Sequence, residues 1–277
     1  MAVPVFEMDK ITVRRNGKEI LNDVSWTVER NQHWVVLGGN GSGKTSLLNV
    51  LMNYLTPTEG SIQMRGREDA VNSNSQDWDE WRKQIGFVSA SIAQLIDPEE
   101  TGLEIVLAGR HAMVNYWQKT EDPKEIKAAE KVLESVNCLP LRDQIWATMS
   151  QGERQRVLIG RALMAPKMDV LVLDEPCAGL DPVAREHFLN FVDELTAKGS
   201  FRSLIIVTHH VEEIIPSITH ALILKDGSII AQGEKRRALN SLTLSRAFDS
   251  ELKLRSRLGR YRLYYDDEFI PEGGSVV

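Results

Sequence analysis

Two patterns of apolar and polar residues succeed one another along the chain. Up to about residue 30 they alternate, with Ile11 and Val13 around Thr12, then Val24, Trp26 and Val28 around Ser25 and Thr27. A period of two belongs to a half-buried strand. Asn16-Gly17 between the two stretches is a dipeptide that tight hairpin turns favour, so an antiparallel pair is expected. From Trp34 onward the apolar residues come in short unbroken runs: Val35-Val36-Leu37, then residues 170–173, 204–207 and 221–224. Such runs fit strands buried on both faces. Leu47, Leu48 and Leu51 follow the first run at helical spacing, and residues 183–195 read as a helix between the second and third. Strands alternating with helices predict a mainly parallel α/β sheet.

The stretch 91–165 shows no clear strand and is helix-rich, with residues 123–136 reading as one amphipathic helix. The expected plan is a single domain over 5–235. In it, 5–90 and 166–235 form the β and parallel-sheet core, and 91–165 is an inserted helical subdomain. Residues 69–80 are polar and are expected to form an exposed loop. Residues 236–277 form a charged C-terminal tail with an aromatic cluster, Tyr261, Tyr264 and Tyr265, expected to serve packing.

Composition narrows the function. No run approaches the ~18 apolar residues of a membrane span, so any membrane role would need spans from a partner. A net charge of −6 argues against a protein devoted to nucleic acid, without excluding a local basic patch. Two cysteines, Cys138 and Cys177, make no disulfide framework, and residues 1–7 lack the basic-then-apolar plan of a secretion signal. The expected location is the cytoplasm, or the inner face of the cell membrane as a peripheral protein.

The chemistry is concentrated in two places. Gly38-Gly39-Asn40-Gly41-Ser42-Gly43-Lys44-Thr45 fits G-x4-G-K-[ST], placed after an apolar strand and before a helix that starts near Lys44, and these residues with Ser46 are expected to bind ATP. Glycines let successive backbone N–H groups curl around an anion, and the helix N-terminus favours negative charge. Lys44 is expected to reach the β- and γ-phosphates of ATP, and Thr45 to hold Mg²⁺. Downstream, Asp174 and Glu175 directly follow a buried strand, where ligands of open α/β sheets gather. Asp174 is expected to hold Mg²⁺, and Glu175 to activate the attacking water. Taken alone, Asp-Glu-Pro at a strand end could equally mark only a turn.

Met149-Ser150-Gln151-Gly152-Glu153 resembles the signature motif of ABC (ATP-binding cassette) proteins, and Val88-Ser89-Ala90-Ser91 and Thr208-His209-His210-Val211-Glu212-Glu213-Ile214 look most like the cytoplasmic subset related to molybdate and iron-complex importers. Read locally the signature segment is a capping box, Ser150 with Glu153 three residues on, and both readings can hold. The resemblance implies a P-loop NTPase (RecA-like) fold with an antiparallel β part and a helical insertion. It also implies that Ser150, Gln151, Gly152 and Glu153 act in trans on ATP held by another subunit. Further elements follow in family order: Ala178-Gly179-Leu180-Asp181 matches the loop at the dimer interface, and His209 matches the switch histidine that contacts the γ-phosphate and Glu175. Arg15 stands where the family places the aromatic that stacks on adenine; a guanidinium plane can also stack on a base.

The sequence departs from the family at Ser89-Ala90. There a Pro-Gln pair normally supplies a Gln that binds Mg²⁺ and senses the membrane partner, and Gln94 is the nearest substitute. Two functions stay open. One is an ATPase working as a homodimer, or as a heterodimer with another cassette subunit, on a transmembrane permease. The other is a soluble ATP-dependent switch that moves no solute. A metal cluster of His209, His210, Glu212 and Glu213 is the weaker alternative use of those residues, because Glu212 and Glu213 read as the exposed start of a helix.

Overall fold

A computed structural model describes residues 4–64, 81–117, 120–166 and 168–265; the loop expected over 69–80 lies outside them. Strands β1 (Pro4–Arg15) and β2 (Lys18–Glu29) pair antiparallel, and β1 also pairs with β4 (Glu59–Met64). Asn16 and Gly17 both take positive φ, at 50° and 74°, the backbone that a two-residue hairpin turn needs. The larger sheet has the order β5 (Ile85–Val88), β6 (Val170–Asp174), β7 (Ser203–Thr208), β3 (Trp34–Leu37), β8 (His220–Lys225) and β9 (Ser228–Glu234). Its first five strands run parallel and β9 is antiparallel.

The unbroken apolar runs have a simple cause: each strand feeds two cores. Val36, Val172, Ile205 and Val207 point toward the three-stranded sheet, where Phe6, Trp26 and Trp34 meet edge to face. Their neighbours Val35, Leu37, Leu171, Leu173, Leu204 and Ile206 point to the opposite core, among Phe188, Leu189 and the helices. Side-chain alternation is present throughout, but both faces are dry.

Helix α1 (Lys44–Leu51) follows β3. Between β5 and β6 the regular elements among the described residues are helical: α2 (Ala90–Leu95), α3 (Gly102–Arg110), α4 (Pro123–Ser135) and α5 (Gln151–Leu163), with two short 3-10 turns. Asp122 caps α4, with Pro123 at its first turn, which suits a residue lacking an N–H. Helix α6 (Pro182–Ala197) joins β6 to β7. The chain beyond β9 folds back on this body through α7 (Lys235–Ala238), α8 (Ser241–Phe248) and a hairpin, β10 (Leu252–Arg257) with β11 (Arg260–Tyr265). Within the aromatic cluster Tyr261 packs on the main core, Tyr264 lies beneath Arg255, and Tyr265 is exposed.

Candidate active site

Parallel register brings the three chemical segments to one edge. Leu37, the last residue of β3, lies opposite Thr208, and Asp174 lies opposite Val207. The loops leaving β3, β6 and β7 therefore start side by side at the carboxyl ends of the strands, where ligands of such sheets bind.

The phosphate loop is tightly built. A β-carbon on Gly38 would sit 2.4 Å from Ser42 Oγ and 2.5 Å from the Leu224 carbonyl oxygen. Gly43 turns the chain into α1 with φ of 106°, and a β-carbon there would meet Leu21 Cδ2 at 2.9 Å. Only glycine fits both demands. Lys44 folds back over the loop and donates to the carbonyls of Gly38 (2.7 Å) and Gly39 (3.0 Å). Burial lowers its pKa, while the nearby Glu175 and Asp174 carboxylates raise it in part. Ser42 Oγ is buried without a partner; Asn40, Gly41 and Thr45 are exposed, and Gly39 and Ser46 half-buried.

At the end of β6 burial, reinforced by Glu175, pushes the Asp174 carboxyl up to about 6, with Lys44 pulling the other way. Glu175 has φ of 47°, unusual for a residue with a side chain. Its N–H donates to the Val207 carbonyl at 2.8 Å, which holds the turn. Glu175 Oε1 then lies 2.9 Å from His209 Nδ1. The expected pair of acid and switch histidine is thus in contact within one chain.

Ser150 caps α5 through a reciprocal box. Glu153 N–H donates to Ser150 Oγ, and Ser150 N–H and Oγ–H both donate to Glu153 Oε2 at 2.8 Å. Those bonds hold the Glu153 carboxyl below its usual range. Ser150 and Gln151 are exposed, and Gly152 is half-buried against Leu180. Asp181 caps α6 through Val183 N–H and Ala184 N–H, at 2.8 and 2.9 Å. Arg15 is exposed at the tip of the first hairpin, across from Lys18. The part of that hairpin touching the phosphate loop is Ile20–Leu21, so Arg15 stands two strand positions or more beyond the contact.

Ser89, at the departure from the family pattern, caps α2 through Ile92 N–H at 3.3 Å and bonds Ser91 Oγ at 2.7 Å; Gln94 is exposed on that helix. The expectation that Glu213 is exposed is corrected. It sits 2% exposed in a 3-10 turn, Val211–Glu213, with its Oε2 buried and unpartnered. Burial pushes its carboxyl up to about 7. The flanking Val211, Ile214 and Ile215, all buried, were the sequence signal that this segment dives into the core.

A phosphate-gripping loop, an acidic strand end two strands away and a paired histidine define a P-loop nucleotide hydrolase. Residues 21–178 match the ABC transporter family. The ABC transporter ATP-binding protein YlmA of Bacillus subtilis (strain 168), itself uncharacterized, is 39% identical over 248 residues, covering 90% of this chain and 92% of that protein. The ABC transporter ATP-binding protein ModF of Escherichia coli (strain K12) is 31% identical over 229 residues, 82% of this chain and 46% of that one. A crystal structure of the ADP conformation of an ATP-binding cassette of an ABC transporter superposes with a TM-score of 0.74 at 26% identity, covering 89% of this chain and 97% of that one. The chain belongs to the ABC transporter family, as an ATP-binding and ATP-hydrolysing protein. These relatives favour the transporter reading over the soluble switch. Among the described residues no helix is long and apolar enough to cross a membrane.

Proposed function

We propose that two copies of this chain close head to tail around two ATP molecules and that the cycle of closure and release drives solute movement through a separate membrane subunit. The observation that carries this reading is the 2.9 Å contact between Glu175 and His209 beside the Lys44 hook.

ATP takes the place of the Gly38 and Gly39 carbonyls at Lys44. The loop N–H groups and the α1 N-terminus grip the β- and γ-phosphates. Thr45 and Asp174 fit a divalent cation: the Asp174 carboxyl is pushed up by burial beside a second acid, and a bound cation would relieve that cost. Mg²⁺ held there would neutralise charge on the phosphates. Glu175 accepts a proton from the attacking water and His209 fixes the Glu175 carboxylate. Ser150 and Gly152 of the other copy would complete the γ-phosphate cradle, with Asp181 at the same interface, and Arg15 would stack on adenine. A cavity of about 680 Å³ lined by Tyr54, Phe87, Ile92, His111 and Val114 is the groove we assign to a segment of the permease. Docking of the permease there would hold the protein at the inner face of the membrane.

Glu175→Gln leaves binding intact and blocks hydrolysis, so gel filtration with ATP should show a dimer at micromolar concentration that reverts with ADP. A persistent monomer would refute the sandwich.

A further inference from the structure

The charge of this chain is segregated. Residues 235–265 hold nine Lys and Arg against two Asp and Glu, a net +7; Asp266, Asp267, Glu268 and Glu272 follow them, and residues 1–234 carry −9. The β10–β11 hairpin sorts these cations onto one face. Paired residues of an antiparallel ladder share a face, and the register is unbroken: Leu252↔Tyr265, Leu254↔Leu263 and Ser256↔Tyr261 alternate with Lys253↔Tyr264, Arg255↔Arg262 and Arg257↔Arg260. Leu254, Tyr261 and Leu263 pack on the main core. The opposite face therefore looks outward, and Lys253, Arg255, Arg257 and Arg262 are exposed on it. Arg260, at the turn end, is engaged instead by both Glu186 oxygens at 2.8 Å, an ion pair that ties the hairpin to α6. At the turn Leu258 is 89% exposed with φ of 51°.

We propose that this hairpin is a docking surface for an anionic lipid bilayer, its arginine face lying on phosphate headgroups and Leu258 entering the acyl boundary. A polybasic surface is drawn to anionic headgroups, and arginine forks pair with phosphate oxygens in two-pronged fashion. Electrostatic attraction and one apolar insertion together hold a protein at a surface where either alone is weak. Single-stranded polynucleotide is one competing polyanion, and its unspecific binding relies on aromatic faces open for base stacking; a duplex, bound through phosphate charge alone, offers no apolar layer for Leu258. Tyr264, the aromatic residue on the charged face, is covered by the Arg255 guanidinium 5.3 Å from its ring centre. A bilayer needs no such platform. The inference rests on the transport reading only for a bilayer lying within reach; the γ-phosphate site is not involved.

The test is flotation of the full-length protein, without permease, with phosphatidylcholine vesicles that do or do not contain phosphatidylglycerol, at about 0.1 M salt. We expect binding to the anionic vesicles only. It should fall at least about tenfold in Arg257→Glu/Arg262→Glu, stay near wild type in Arg257→Lys/Arg262→Lys, and fall several-fold in Leu258→Ser. Melting temperature and basal ATPase activity, unchanged in all three variants, would show that the fold and the nucleotide site are intact. Equal recovery with neutral and anionic vesicles would overturn the proposal. So would insensitivity to the two charge reversals, or displacement from vesicles by duplex DNA at equal phosphate concentration. A failed gel-filtration dimer of Glu175→Gln with normal flotation would refute the sandwich alone.

Discussion

At the scale of single residues the site is a set of groups held in costly states. Lys44 is desolvated, Glu175 sits at positive φ, and Asp174 is half-buried with its carboxyl pushed up to about 6. Strain and buried charge of this kind persist where function needs them. The Asp174 shift has a consequence for stability whose sign is fixed. Its folded pKa is above the ordinary 3.8, so the folded state binds more protons between those values and loses stability as pH rises from about 4 to about 6. Glu213, pushed up to about 7 by burial, acts in the same direction over a higher window. In nucleotide-free protein, Asp174→Asn should therefore melt higher than wild type above pH 6, and the two should converge below pH 4. Thermal melts across that range check this; an Asn variant that is less stable at pH 7.5 would show that the carboxylate is well compensated in the folded chain.

At the scale of elements, the signature helix α5 serves two ends with one residue. Ser150 is both the N-cap of the helix and the side chain offered across the proposed interface, so loss of activity in Ser150→Ala would be ambiguous. Losing the cap should cost about 1 kcal/mol of stability. Ser150→Asn keeps a good cap and replaces the small hydroxyl with a larger amide. It should melt within a degree or two of wild type and still lose most ATPase activity. If Ser150→Asn turns over ATP normally, the residue is a cap and nothing more.

Elements also show what could be read in advance. The phosphate loop was legible because its backbone admits only glycine at set positions, and the Asn16-Gly17 turn because local conformation decides it. The strands were legible as unbroken apolar runs, since both faces of the sheet are covered. Glu213 was misread as exposed: its burial comes from a 3-10 turn packed into the core, which its own charge conceals. The fold of residues 235–265 was also hidden. Its apolar positions are interleaved with arginines and lysines, and its positive charge cancels against the rest when charge is summed over the whole chain.

At the scale of the molecule, one chain brings one phosphate loop and one signature helix, and the charge of its two parts is opposite in sign. A head-to-tail pair would use each element once per site, and each γ-phosphate would add contacts between copies that hydrolysis removes. That is a two-state assembly biased by its ligand. The most direct check is a crystal structure of Glu175→Gln trapped with ATP and Mg²⁺. We predict two copies in which Ser150 of one and Lys44 of the other touch the same terminal phosphate. A structure with ATP bound at Lys44 and Ser150 facing solvent, or facing any other surface, would contradict the account.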